Sequence, residues 1–301
     1  MNWKKLGQVY HCKSIDEYLL SHASNPLAIH LKDDIYRVFF SGRDKENKSS
    51  VGYVDINIIE KIVLSTCKEV VVKYGDEDSF YSHGISIGNM YKIEDKNYIQ
   101  FMAWQIRNGG HWRGDIGRLE LNDKLDSLKL NPNSVYIGCN EEDKVSLSYS
   151  WIMKDESIYK MWYGSTIDWS SPNGEMVHVI KYATSCDGEN WERKGLAMPY
   201  EIGVAQAFSR PTVFKDNQGY HMWFSYRSGD GTKYRIGYAY SLDGITWNRK
   251  KDSGIDVSES GWDSEMICYP FVFDHKGKRY MLYNGNDYGK TGFGLAVLES
   301  E

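Results

Sequence analysis

The chain has 301 residues, 14% of them aromatic, and a net charge of −5 spread over interspersed acidic and basic side chains. With no basic run to follow a phosphate backbone, a nucleic-acid partner is not expected. No stretch approaches the roughly 18 apolar residues of a membrane span, and Met1-Asn2-Trp3-Lys4-Lys5-Leu6 lacks the apolar core of a secretion signal, so a cytoplasmic protein is expected.

In chain order the predicted elements repeat. A strand pair recurs in which an apolar run, a short polar turn and a Tyr-led second run follow one another. The second runs cover residues 36–42, 98–104, 159–165, 220–226 and 280–286, and their leading tyrosines are 62, 61, 61 and 60 residues apart. Third strands follow at 51–54, 116–119, 180–183, 236–239 and 293–296. In two units the chain then turns through Ser185-Cys186-Asp187-Gly188 or Ser241-Leu242-Asp243-Gly244 and meets a fourth strand at Trp191 or Trp247. Asp-Gly between apolar runs is a hairpin signal, because glycine accepts positive φ without strain.

Five units of about four short strands account for residues 1–301 as one domain, and four strands make a propeller blade. The last unit ends after its third strand, while Asn2-Trp3-Lys4-Lys5 is similar to Asn190-Trp191-Glu192-Arg193 and Thr246-Trp247-Asn248-Arg249. The expectation is an all-β, five-bladed β-propeller, closed by an N-terminal strand that completes the last blade. The Tyr, Trp and Gly repeats are read as packing between blades. The Ser-x-Asp-Gly-x-x-Trp turns are read as structural, on the face opposite any site.

A site is expected where inner strands begin and second strands end, since both open on one funnel. The carboxylates there are Asp168, Asp263, Glu265 and Asp287, the cations Arg43, Arg210 and Arg227, and the imidazoles His22, His83 and His178. Cleaving a glycosidic bond takes one carboxyl as acid and another as base or nucleophile. Glu265 stands among Trp262, Met266 and Ile267, apolar neighbours that raise a carboxyl pKa, with Asp263 two residues earlier and Asp168 beside aromatic side chains. Each of these also has a plainer reading as a turn cap or an arginine partner. Asn25, Arg43, Asp44, His83, Trp104, Arg210, Arg227 and Asp287 are the expected substrate-binding residues. The arginines either hold an anionic group or brace the carboxylates, and His83 is equally a structural histidine. No cofactor is expected, although oxygen ligands in an acidic funnel leave a structural Ca²⁺ open. The scattered Cys12, Cys67, Cys139, Cys186 and Cys268 contain no CxxC pair and are read as reduced thiols.

This pattern resembles the five-bladed propeller glycosidases of glycoside hydrolase families 32, 43, 68 and 130. The resemblance covers nearly the whole chain, through Pro211-Thr212-Val213-Phe214, Tyr220-His221-Met222-Trp223-Phe224-Ser225 and Ile236-Gly237-Tyr238-Ala239. More closely, Phe40-Ser41-Gly42-Arg43-Asp44, Arg210-Pro211 and Gly261-Trp262-Asp263-Ser264-Glu265-Met266 are similar to bacterial propeller proteins associated with surface-polysaccharide synthesis. The resemblance implies a carbohydrate-active enzyme, a glycoside hydrolase on a bacterial glycan or sugar conjugate. Families 32 and 43 carry an Asp at the start of the first inner strand, whereas here the segment is His22-Ala23-Ser24-Asn25-Pro26, and no carboxylate carries over. Three alternatives stay open: a phosphorylase or transferase on an anionic or activated sugar, a non-catalytic lectin-like propeller, and a protein-interaction scaffold.

Overall fold

The computed structural model describes residues 1–106, 109–130 and 134–300. Among these the regular structure is all strand apart from one helical turn. Strand β1 (Asn2–His11) is followed by β2 (Ser21–Lys32), β3 (Ile35–Arg43), β4 (Ser49–Asn57) and β5 (Ile62–Thr66). The next four are β6 (Gly84–Ile93), β7 (Lys96–Ile106), β8 (Trp112–Leu121) and β9 (Leu128–Leu130). Then come β10 (Ser146–Asp155), β11 (Ile158–Asp168), β12 (Val177–Ser185) and β13 (Glu192–Leu196), and after them β14 (Ala207–Lys215), β15 (Tyr220–Arg227), β16 (Arg235–Ser241) and β17 (Asn248–Lys250). The chain ends with β18 (Cys268–His275), β19 (Lys278–Asn284), the turn α1 (Asn286–Gly289) and β20 (Gly292–Ser300).

Each group of four is an antiparallel meander. Its second and third strands are buried nearly end to end, as in β3 and β15. That is why their sequences read as continuous apolar runs instead of alternating: both faces of the sheet are covered by neighbouring groups. In the last group β1 supplies the fourth strand, pairing antiparallel with β20 through Trp3↔Leu298 and Lys5↔Ala296. Trp3 stands edge-on to Trp223 of the preceding group with ring centroids 5.8 Å apart, as Trp247 does to Trp162 at 6.0 Å. The two Asp-Gly turns share one geometry. Ser185 Oγ donates to Asp187 Oδ1 at 2.8 Å and Ser241 Oγ to Asp243 Oδ1 at 2.8 Å, while each aspartate accepts two further backbone N–H groups.

Single parallel bridges, Ser49↔Gly84 and His178↔Ala207, join groups into two eight-stranded sheets beside a four-stranded one. No hydrogen-bonded sheet among the described residues runs the whole way round. The inner strands do lie side by side, since β2, β6, β10, β14 and β18 each lie against the next and β18 lies against β2. Among the described residues no helix is long and apolar enough to cross a membrane. The five cysteines are unpaired, and burial pushes the Cys12 and Cys139 thiols up to about 11.

Candidate functional site in the central cavity

A cavity of about 500 Å³ opens where the inner strands begin, and every group contributes to its wall. Arg43 reaches it from the end of β3, Trp104 from the end of β7, Tyr149 from β10, Arg227 from the end of β15 and Tyr269 from β18. Strand ends reach it because the second strand of each group runs toward this face, so its last residues arrive with side chains not already covered by neighbours.

Glu175 is the carboxylate that lines the cavity among the described residues. It sits in the β11–β12 connection, where Gly174 takes φ +80° and the Ser171 N–H and hydroxyl both donate to the Glu175 carbonyl, at 3.1 and 2.7 Å. Its Oε1 accepts from Arg227 Nη2 at 2.8 Å and from the Met176 N–H at 3.0 Å. The Arg227 guanidinium also lies over the Tyr234 ring, 4.9 Å from its centroid. Arg43 differs: among the described residues its guanidinium makes neither ion pair nor hydrogen bond.

Aromatic side chains form much of the wall. His111 stacks on Trp169 with centroids 4.7 Å apart and planes 13° apart, and Trp112 stands edge-on to the same ring at 4.8 Å. Trp104 is fixed through Nε1–H to Ser49 Oγ at 2.9 Å. Such rings present flat apolar faces of the kind on which the C–H face of a pyranose packs.

His178 also reaches the wall, held between Ser148 Oγ at 2.5 Å and Thr166 Oγ1 at 2.7 Å. Burial lowers its pKa to about 3, so at neutral pH it is an uncharged hydrogen-bonding group. The arrangement needs a glycine opposite. A Cβ on Gly164 would lie 2.0 Å from Ser148 Oγ and 2.5 Å from His178 Nε2. Gly164→Ala is therefore expected to cost about 1–3 kcal/mol by overpacking, read as a lowered thermal midpoint; an unchanged midpoint would mean that the pair relaxes freely.

Of the expected site residues, Arg43, Trp104 and Arg227 line the cavity. Asp287 lines a smaller pocket of about 170 Å³ that shares Glu175, Arg227 and Tyr288 with it. Three carboxylates expected to act as acid or base do not reach the lining. Glu265 is exposed and bonded to Lys233, because the burial of Met266 and Ile267 beside it leaves its own side chain in solvent. Asp263 is buried, but its Oδ2 accepts from Lys5 Nζ at 2.8 Å and Tyr283 OH at 3.0 Å, tying β1 to β19. Asp168 is exposed and caps its own turn through the Ser170 N–H at 3.0 Å.

The remaining candidates brace the surroundings. Asp44 accepts the Glu46 and Lys48 N–H groups at 2.8 and 2.9 Å. Asn25 is buried with φ +58° and donates its N–H to Asn284 Oδ1 at 2.8 Å. His83 packs on Trp104 from outside the lining, at 5.8 Å, and burial lowers its pKa. His22 is held down to about 4 by burial and by Arg43. Arg210 is fully buried beside the wall. It donates to the carbonyls of Tyr269 at 2.9 Å, Pro270 at 3.2 Å and Pro26 at 2.8 Å, and no carboxylate among the described residues pairs with it. No three His, Cys, Asp or Glu side chains among the described residues come together as metal ligands.

Glu175 escaped the sequence reading. It lies seven residues past Asp168 in the longest polar connection of its unit, and only the β12 start behind it returns to the funnel. Gly174 immediately before it, ahead of a strand, was the available signal.

No family model matches the sequence. The chain is 39% identical over 303 residues to the uncharacterized protein MT1551 of Mycobacterium tuberculosis (strain CDC 1551 / Oshkosh), across 100% of both. The chain belongs to the MT1551 family. Among solved structures, a glycoside hydrolase superposes with TM-score 0.78 at 13% identity, over 99% of this chain and 92% of that one. A structure from the GH130 family of mannoside phosphorylases, which contains glycoside hydrolases that target β-1,2-mannosidic linkages in Candida mannan, superposes with TM-score 0.69 at 14% identity, over 98% and 93%. This chain thus shares the propeller fold of these glycoside hydrolase structures, as the sequence resemblance implied.

Proposed function

We propose that this protein is a carbohydrate-active enzyme built as a closed five-bladed propeller, with a sugar bound in the central cavity and Glu175 as its reacting carboxylate. The packing of the five inner strands round to β2, and the β1–β20 pairing, support closure. The observation that carries the reading is Glu175 itself, the lining carboxylate among the described residues, on the same cavity wall as Trp104, Trp112 and Trp169 and bonded to Arg227. Glu175, paired with Arg227, takes the proton of the incoming group as it attacks C1, and Asp287, across the shared pocket, gives a proton to the glycosidic oxygen as the C1–O bond breaks. Arg43, Trp104 and Arg227 bind the sugar. The unpaired cysteines suit a cytoplasmic site of action.

Positioned acid–base groups contribute roughly 10²–10⁴-fold. With bacterial oligosaccharides or activated glycosides as substrates, Glu175→Gln is expected to lower turnover about 100-fold while binding persists, and Glu265→Gln to leave it unchanged. Equal turnover in wild type and Glu175→Gln would sink the assignment. The ion pair with Arg227 favours a second reading, a lectin-like site in which Glu175 accepts sugar hydroxyls; sugar binding without product in both proteins would select it.

A further inference from the structure

We infer that two copies of this chain associate through β5, the outermost strand of the first group, by pairing β5 antiparallel with β5 of the second copy. The inference goes beyond the sugar site, since the cavity opens where the inner strands begin, whereas β5 is the last strand of its group.

The starting observation is a contrast within the molecule. Each of the five groups ends in an outermost strand, and such an edge offers unpaired N–H and C=O groups to any other strand. Four of these edges carry basic side chains: Lys4 and Lys5 on β1, Lys129 on β9, Arg193 and Lys194 on β13, and Arg249 and Lys250 on β17. Charges there discourage a second strand from joining, because pairing would bury them or set like charges side by side. The β5 sequence Ile62-Val63-Leu64-Ser65-Thr66 has none. Among the described residues it pairs with β4 alone, from Asn57↔Ile62 to Val54↔Thr66.

This uncharged edge is also apolar and open. All of β5 is exposed, and Ile59, Ile62, Val63 and Leu64 are 48%, 47%, 43% and 48% exposed, so four large aliphatic side chains crowd one short stretch. Ser65 turns back to its own sheet, where Oγ donates to Asp55 Oδ2 at 2.9 Å and Arg37 already neutralises that carboxylate. A bulge at Leu64 interrupts the β4 register, but β13 has a bulge at Lys194 and carries charges as well, so a bulge does not stand in for them. A second exposed apolar run, Tyr200, Ile202 and Val204, closes on itself through the Glu201↔Ala205 bridge and leaves no strand edge.

The partner is a second copy because the edge is complementary to itself. Glu60 and Lys61 precede β5, Lys68 and Glu69 follow it, and all four are exposed. Lys61 donates to the Leu6 carbonyl at 3.4 Å and Glu60 accepts from Asn57 at 3.2 Å, and among the described residues none of the four has an ion pair. Antiparallel pairing about a twofold axis lays each end of β5 on the opposite end of its copy. Acid and base then meet at both ends, and the uncharged residues meet in the middle. A charged peptide would instead leave its charges against Ile62, Val63 and Leu64.

Sedimentation velocity on the whole chain tests the inference, from about 1 to 200 µM, a range that spans the weak affinity of a small interface. Wild type is expected to pass to a species of twice the 34.8 kDa chain mass as concentration rises. Leu64→Lys sets two ammonium groups against each other near the axis and should weaken association roughly 100-fold or more. Leu64→Glu should do the same. An equimolar mixture of the two should regain the dimer, since each lysine then faces a glutamate, and that recovery is specific to β5 against β5. Leu196→Lys, the same change at an exposed leucine on β13, should associate like wild type. Because Leu64 is exposed, its variants should keep the thermal midpoint of dilute wild type. If either fails to fold, amide exchange of residues 62–66 decides, being slower in concentrated than in dilute wild type if β5 pairs. A wild type that stays monomeric, Leu64 variants that still dimerise, a mixture that stays monomeric, equal disruption by Leu196→Lys, or exchange independent of concentration overturns the inference. The sugar site stands in each case.

Discussion

Asp143→Ala is expected to destabilise the protein by about 3 kcal/mol, the largest loss from any single carboxylate. Asp143 is fully buried ahead of β10 and accepts from Lys181 at 2.7 Å, Arg193 at 2.6 Å, Tyr163 OH at 2.9 Å and Ser165 Oγ at 2.5 Å, so that one carboxylate fastens three strands of its group. Breaking a buried pair by removing one partner costs roughly 3–5 kcal/mol, because the other charge stays behind uncompensated. Lys181 and Arg193 keep slight solvent access, which puts the expected value at the lower end. The measurement is the urea midpoint at constant slope. The same carboxyl sets a pH dependence. Burial raises its pKa, but hydrogen bonds from Lys181 and Ser165 outweigh that and hold it below the ordinary carboxylate value. A depressed folded-state pKa means stability fully present above the unfolded value, near 3.9, and lost as pH falls through the folded one. Below about pH 4 the wild type should therefore lose part of its advantage over Asp143→Ala. A difference that stayed constant from pH 7 to pH 3 would show that the carboxylate is not the group responsible.

Arg210→Met is expected to cost about 2–4 kcal/mol in the same measurement. The guanidinium of Arg210 binds carbonyls of both the first and the last group, through Pro26 and through Tyr269 and Pro270. Thr212 Oγ1 also donates to the Pro270 carbonyl at 2.7 Å, so the substitution strands the carbonyls of Pro26 and Tyr269. A buried acceptor left unpaired costs about 1–3 kcal/mol. Opposing this, methionine relieves the burial of a charge that lowers the guanidinium pKa to about 10. Two stranded carbonyls outweigh that relief because the guanidinium already has three acceptors in place of water. A variant more stable than wild type would reverse this order, and would mean that the charge is kept at a cost to the fold.

Asp143 also explains why Asp263 misled a reading of the sequence. The two occupy matching places: Asp263 accepts from Tyr283 and Lys5 as Asp143 does from Tyr163 and Arg193, and Lys5 stands two residues after Trp3 as Arg193 does after Trp191. A carboxylate next to a strand start looks the same in one dimension whether it faces the axis or folds back over its own sheet. Glu265 illustrates the related difficulty: its apolar neighbours were visible, but not that they were buried by turning it outward. That Arg43, Trp104 and Arg227 reach the cavity wall was legible for a simpler reason. Each ends a second strand, and the end of a second strand always opens on the same face.

What the amino-acid order alone determined was the repeat: five Tyr-led runs at near-equal spacing, two Ser-x-Asp-Gly turns and an N-terminal Trp3 that matches Trp191 and Trp247. Local patterning suffices for these because strand burial and turn geometry depend on neighbours a few residues away. What only the tertiary structure decided was which charges meet. Glu175 finds Arg227 across 52 residues and Arg210 reaches Pro26 across 184. Among the described residues Arg43 is left without a partner where it lines the cavity. Whether a charged side chain is neutralised, braced or free is set by distances between groups that no spacing along the chain encodes.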